Sequence, residues 1–143
     1  MENRANFHIT VSLLLIKDNK VLMIKRKNTG YMDGMYALVG GHVETNESFK
    51  DAMIREAKEE IGISLNKEDM DYVCAIHTGS NSEYINLFIK ADNYEGKIIN
   101  TEPDKCEEIV WIDIDNLPEN VIENDRRAIY NLNSDISFDE YNF

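Results

Sequence analysis

The residues best placed to do chemistry are three glutamates. Glu56, Glu59 and Glu60 stand at i, i+3 and i+4, so on a helix turning about 100° per residue they share an arc of roughly 100°. Like charges at these spacings destabilise an isolated helix by roughly 0.2–0.5 kcal/mol per pair. A divalent cation over the cluster removes that penalty. Magnesium suits the position, because it is a hard ion that takes oxygen ligands, keeps several waters and is held by one or two carboxylates together with substrate phosphates. Manganese accepts similar donors and is the alternative. A solvated acidic face laced by Arg55 and Lys58 has the same spacing, so the surroundings must decide between the two.

The stretch that positions these acids is GGHVETNESFKDAMIREAKEEIGI, residues 40–63. Gly40 and Gly41 let a backbone carbonyl or amide approach a ligand, or else make a tight turn. Asn46 suits a helix N-cap, and Glu47 in the first turn meets the positive end of the helix dipole. The helix then runs to about Ile61, with Gly62 as its stop and Phe49, Met53, Ile54 and Ala57 as its apolar side. Upstream, residues 7–17 and 20–27 read as two strands joined by the Asp18-Asn19 turn. Both are apolar on both faces, which predicts a sheet covered by helices on each side. Residues 28–34 read as a mobile loop and 36–39 as a short strand. Downstream, 70–78 and 83–91 form a second hairpin around a turn at 79–82, with Ile85, Leu87 and Ile89 on one face. A short strand is expected at 97–100, the last strand at 107–113, and a closing helix at 121–132 before a polar tail. The class is α/β with a mixed sheet.

Read from Gly41, the chain runs glycine, five residues, Glu47, seven residues, Arg55-Glu56-Ala57, one residue, Glu59-Glu60, one residue, Gly62 and Ile63. This resembles the Nudix box of the Nudix hydrolases throughout its length. Six positions of required identity match beyond the first glycine, with two small or aliphatic ones, and chance agreement is improbable. The resemblance implies a Nudix-type α/β/α sandwich over residues 1–143 as one domain. It also implies hydrolysis of a nucleoside diphosphate linked to a further group, by water attacking phosphorus. Glu56, Glu59 and Glu60 look like the family's metal-binding acids, the Gly40 carbonyl like an added ligand, and Arg55 with Glu47 like the pair that fixes loop against helix. No one glutamate is assigned as base. Many members add an acid from outside the box, which makes Glu102 and Glu108, in EPDKCEEIVW, further metal-ligand candidates. Val39 and Asn46 stand where many members have proline and glycine. Neither change removes a catalytic group, and Asn tolerates left-handed backbone.

Candidate substrate contacts are His42 beside the glycine pair, Tyr31 and Tyr36 as stacking rings for a nucleobase, and Arg26. With 27 acidic and 15 basic residues, the formal charge of −12 argues against nucleic acid or an anionic membrane as partner. A small nucleotide can still bind through a metal or a focused cationic pocket. The 143 residues, 43% hydrophobic, suffice for one core. Cys74 and Cys106 have neither disulfide nor zinc spacing; they read as free thiols of a cytoplasmic protein, and no targeting segment is expected. Markers of the ADP-ribose, diadenosine polyphosphate and coenzyme A subfamilies are missing. By elimination the chain looks most like the MutT-type hydrolases, which convert a nucleoside triphosphate to monophosphate and pyrophosphate. An ADP-ribose or nucleotide-sugar hydrolase is the alternative enzyme, and a nucleotide-sensing module without turnover is the alternative to an enzyme. Many relatives are dimers, so a homodimer is allowed.

Overall fold

The computed structural model describes residues 3–80 and 82–143. Its first two strands, β1 (His8–Lys17) and β2 (Lys20–Arg26), form the expected hairpin. Asp18 and Asn19 both take left-handed backbone, φ 53° and 61°, the conformation that matches a two-residue turn to the twist of its strands. Then come β3 (Tyr36–Ala37), β4 (Gly40–His42) and α1 (Phe49–Ile61). A 3-10 turn (Lys67–Asp69) leads into β5 (Met70–Thr78) and β6 (Tyr84–Ala91). The chain closes with β7 (Cys106–Asp113), α2 (Glu123–Asn133) and β8 (Phe138–Tyr141). Asn81, in the expected turn at 79–82, lies outside the described residues.

The strands make one mixed sheet in the order β3-β2-β1-β6-β5-β8, with β4 added to β1 and β7 to β2. β1 runs parallel to β6 and β5 parallel to β8. Alternation along β1 explains the sandwich. Val11, Leu13 and Leu15 enter a core with Ala52, Met53, Ala57 and Ile61 of α1, while Leu14 enters a second core with Phe88 and with Ala128 and Ile129 of α2. Burial on both sheet faces is what doubly apolar strands require. The α/β/α architecture is therefore as expected. Among the described residues no helix is long and apolar enough to cross a membrane.

Several local expectations are corrected. The glycine pair is strand rather than turn, because Gly40 and Gly41 pair with Ser12 and Val11 of β1. Ser48, not Asn46, caps α1: its Oγ accepts the Asp51 N–H at 3.1 Å, and Asn46 instead turns the loop with φ 63°. Glu47 therefore lies before the helix. Phe49 is on the exposed rim, and Ala52 and Ile61 take its place in the core. Residues 97–100 form no strand, since Ile99 and Thr101 give their N–H groups to the last carbonyls of α1, those of Ile61 and Glu60. The polar tail supplies a further strand, β8, so β7 is not the last. Residues 28–34 are tied down rather than loose: Asp33 accepts from Thr29 N and Oγ1 and from Gly30 N at 2.6–3.1 Å.

Candidate active site

The apolar side of α1 is anchored in the first core, and this leaves Glu56 and Glu60 facing β4 while Glu59 points to solvent. The glycines make this approach possible. A Cβ on Gly41 would run into the Glu56 carboxylate, and one on Gly40 would run into the Val11 carbonyl of β1. Only a strand without side chains can pair with β1 and also receive the acid. The Gly40 N–H then donates to Glu60 Oε2 at 2.9 Å.

Arg55 fastens the preceding loop to this helix. Its Nε and Nη2 donate to the two Glu47 oxygens at 2.7 and 3.0 Å, Nη1 to Glu56 Oε1 at 2.9 Å, and Nη2 also to the His42 carbonyl at 3.1 Å. Nη1 lies 3.4 Å from Glu59. Glu47 Oε1 also accepts the Glu44 N–H at 3.0 Å. These bonds push the Glu47 carboxyl down to about 2 and hold the guanidinium above its ordinary value. A planar fork gripping two oxygens sets orientation as well as charge.

The neighbouring acids are shifted in the opposite direction. Glu60 carries its carboxyl into the interior, and burial, then the charge of Glu56, pushes it up to about 8. Burial also raises Glu56, despite Arg55. Both acids are thus costly to ionise where they stand. The donor set is all oxygen, as a hard divalent ion requires. Among the described residues no three acidic, thiol or imidazole groups stand together as a metal cluster, since Glu56 is turned to Arg55 and Glu60 to Gly40. Magnesium commonly takes one or two carboxylates with water and substrate oxygens.

A cleft of about 310 Å³ opens beside Glu60, lined also by Ile24, Arg26, Asn28, Thr29, Glu102, Lys105 and Cys106. Glu102 raises both Glu56 and Glu60 by its charge. Glu108 sits elsewhere, accepting the Tyr36 hydroxyl at 2.5 Å. Arg26 donates to the Tyr31 carbonyl at 2.8 Å and to Thr29 Oγ1 at 3.1 Å, and its guanidinium is 5.5 Å from the Tyr31 ring centre. That ring is 59% exposed, beside the cleft mouth and not in its wall. Tyr36 is held by Glu108 and by Lys25, 5.8 Å over its ring. The His42 ring lies near His8 and Tyr84, and its carbonyl accepts from Arg55.

Three residues of this region escape a reading of the sequence. Lys105 lies within the segment that supplies Glu102, but nothing local says which of its charges face the cleft. Cys106 comes to face Arg26 through strand pairing. Asp125 is fully buried in α2 and accepts the Leu38 N–H at 2.8 Å, with burial pushing it up to about 7. An acid on the inward side of an amphipathic helix is the one signal that could have found it.

Comparison with known proteins follows the same geometry. The NUDIX domain model matches residues 6–132. The chain is similar to an ADP-ribose pyrophosphatase of Methanocaldococcus jannaschii, 31% identical over 119 residues, covering 82% of this chain and 69% of that protein. It is also similar to an 8-oxo-dGTP diphosphatase of Proteus vulgaris, 34% identical over 65 residues, covering 46% of this chain and 58% of that protein. Among solved structures, a MutT NUDIX hydrolase from Burkholderia pseudomallei superposes with a TM-score of 0.80 at 26% identity, over 87% of this chain and 97% of that one.

Proposed function

The chain belongs to the Nudix hydrolases, pyrophosphohydrolases that act on phosphoanhydride bonds and generally use divalent metal ions, and we propose that it hydrolyses a nucleoside triphosphate to the monophosphate and pyrophosphate. The observation that carries this reading is the joining of two walls: the acids of α1 on one side, and Arg26, Glu102 and Lys105 around a cleft on the other.

In this reading Glu56, Glu59 and Glu60, the Gly40 carbonyl and Glu102 would hold magnesium, or manganese in its place, which would supply neutralisation of phosphate charge and a more acidic water. Arg55 holds Glu56 and the Glu47 loop in register. The Gly40 N–H fixes one Glu60 oxygen at the edge of the cleft. One of the glutamates takes the proton of the attacking water, as general-base catalysis requires a carboxylate within hydrogen-bond reach. Arg26 draws the anionic chain into a protein whose overall charge opposes it. The exposed Tyr31 ring offers a face to the base. Glu108, Tyr36 and the His42 ring are engaged elsewhere and have no part in this reading.

A second reading, ADP-ribose hydrolysis by the same acids, is favoured by similarity to the M. jannaschii enzyme across most of the chain. A sensing module without turnover is disfavoured by the presence of all three acids. The test is release of pyrophosphate and phosphate from a panel of nucleoside triphosphates, ADP-ribose and nucleotide sugars with magnesium, beside a Glu59→Gln control. Pyrophosphate from triphosphates, lost in the control, is expected. Turnover of ADP-ribose alone moves the enzyme to the second reading, and binding without turnover sinks both.

A further inference from the structure

The cleft beside Glu60 contains two acids and two cations that do not pair. Among the described residues, neither Arg26 nor Lys105 makes an ion pair, although both line the same space as Glu60 and Glu102. Each wall of the cleft is built by hydrogen bonds of its own. The guanidinium of Arg26 is occupied by Tyr31 O and Thr29 Oγ1. Lys105 sits on a turn that is closed at both ends. Its own N–H and that of Cys106 donate to the Glu102 carbonyl at 2.9 Å. Asn100 clasps the turn from outside: Nδ2 donates to the Cys106 carbonyl at 2.8 Å, and Oδ1 accepts the Glu102 N–H at 3.1 Å.

Two further bonds fix this turn against the opposite wall. Lys27 N–H donates to the Lys105 carbonyl at 3.0 Å, and Asn28 Nδ2 to the Asp104 carbonyl at 3.2 Å. The backbone of Lys105 is therefore immobilised while its side chain stays exposed and unpaired. An ammonium on a flexible stem is a point-charge binder of phosphate. In a chain of charge −12, an anionic ligand depends on such local cations.

We propose that Lys105 binds the polyphosphate chain of the substrate across the cleft from Arg26, leaving Glu60 and Glu102 free for the metal. This rests on the reading that phosphates occupy the cleft. It adds a contact supplied by a turn far from the box in sequence.

Inorganic pyrophosphate, titrated calorimetrically into the protein with saturating magnesium, tests it. Lys105→Met is expected to weaken pyrophosphate binding roughly tenfold, the range of one charge-assisted bond, and to raise KM by the same factor with kcat little changed. Lys105→Arg should retain most of the affinity. Lys58→Met, which removes an equal charge from the exposed last turn of α1, should have no effect. Wild-type affinity in Lys105→Met, or an equal loss in Lys58→Met, overturns the assignment of Lys105 alone. If the wild-type protein itself binds no pyrophosphate, the cleft is not a phosphate site and both readings fail.

Discussion

A buried carboxylate and a half-buried one hold the backbone of residues 38–40 from opposite sides of the sheet, and they differ in their surroundings. Asp125 of α2 accepts the Leu38 N–H, and Glu60 of α1 accepts the Gly40 N–H, at 2.8 and 2.9 Å. Burial raises both, to about 7 and about 8. Around Asp125 the remaining influences, the Leu38 N–H and Arg26, favour the charge. Around Glu60 the Gly40 N–H and Arg26 favour it as well, but the charges of Glu56 and Glu102 oppose it. Asp125 is sealed, whereas Glu60 opens on the cleft. Asp125 is placed as a joint of the scaffold, and Glu60 stands where the proposed function puts the metal.

The largest expected effect breaks this pair apart. Glu60→Gln should lower kcat by about 10²-fold or more, whether that carboxylate holds the ion or takes the proton of the attacking water, while Asp125→Asn, which keeps an acceptor for Leu38, should stay within a few-fold of wild type. Steady-state turnover of both variants decides it, and equal inactivity would erase the distinction between joint and site.

Next in size is Gly41→Ala. Its Cβ has no place except that of the Glu56 carboxylate. A displacement of about 1 Å can cost on the order of 10²-fold in rate, so activity should fall far more than the melting temperature. Retained activity would show that Glu56 is not needed where it lies.

The raised acids also predict how stability depends on pH in metal-free protein. Below their ordinary values of 4.5 and 3.8, Glu60 and Asp125 are protonated in both folded and unfolded chains. Between there and about 7 to 8 the native state keeps protons that the unfolded state has released, so stability falls as pH rises through that window. A loss of roughly 2 kcal/mol or more is expected, read as a falling midpoint in urea unfolding between pH 5 and 8. Asp125→Asn should flatten part of the slope with or without metal. Added magnesium should flatten only the part that belongs to Glu60. A profile indifferent to magnesium would count against Glu60 as a ligand.

The smallest effect concerns the scaffold alone. Ser48→Ala removes the cap of α1 and should cost about 1 kcal/mol with turnover unchanged, measured by denaturant unfolding beside an activity assay. A fall in turnover would tie the start of the helix to the chemistry at its other end.

The glutamate arc, the Arg55–Glu47 pair and the end of α1 at Gly62 were legible because each depends on residues within one or two helical turns, or on one contiguous stretch. Strands apolar on both faces were legible for a similar reason, since two-sided burial leaves a mark in every residue. The errors fall where backbone groups had several partners to choose from. Residues 97–100 have strand-like composition but give their N–H groups to the end of α1. The glycine pair left a tight turn open beside a close backbone approach, because the vacancy that a strand needs beside an incoming carboxylate is visible only once both are in place. The polar tail holds too few apolar residues to announce β8, which is fastened by Arg127 and Asn131 reaching Asp139.

From sequence alone came the family, the sandwich with two covered faces, and the acids on one face of α1, because periodicity and spacing encode what a single element presents. Tertiary structure alone decided that Glu102 lines one cleft with Glu60 while Glu108 turns to Tyr36, that Lys105 and Arg26 line that same cleft, and that Asp125 and Glu60 grip one short segment from opposite sides. Those relations join residues tens of positions apart. Strand pairing and the two helix packings bring them together, and no local pattern records where such distant segments will meet.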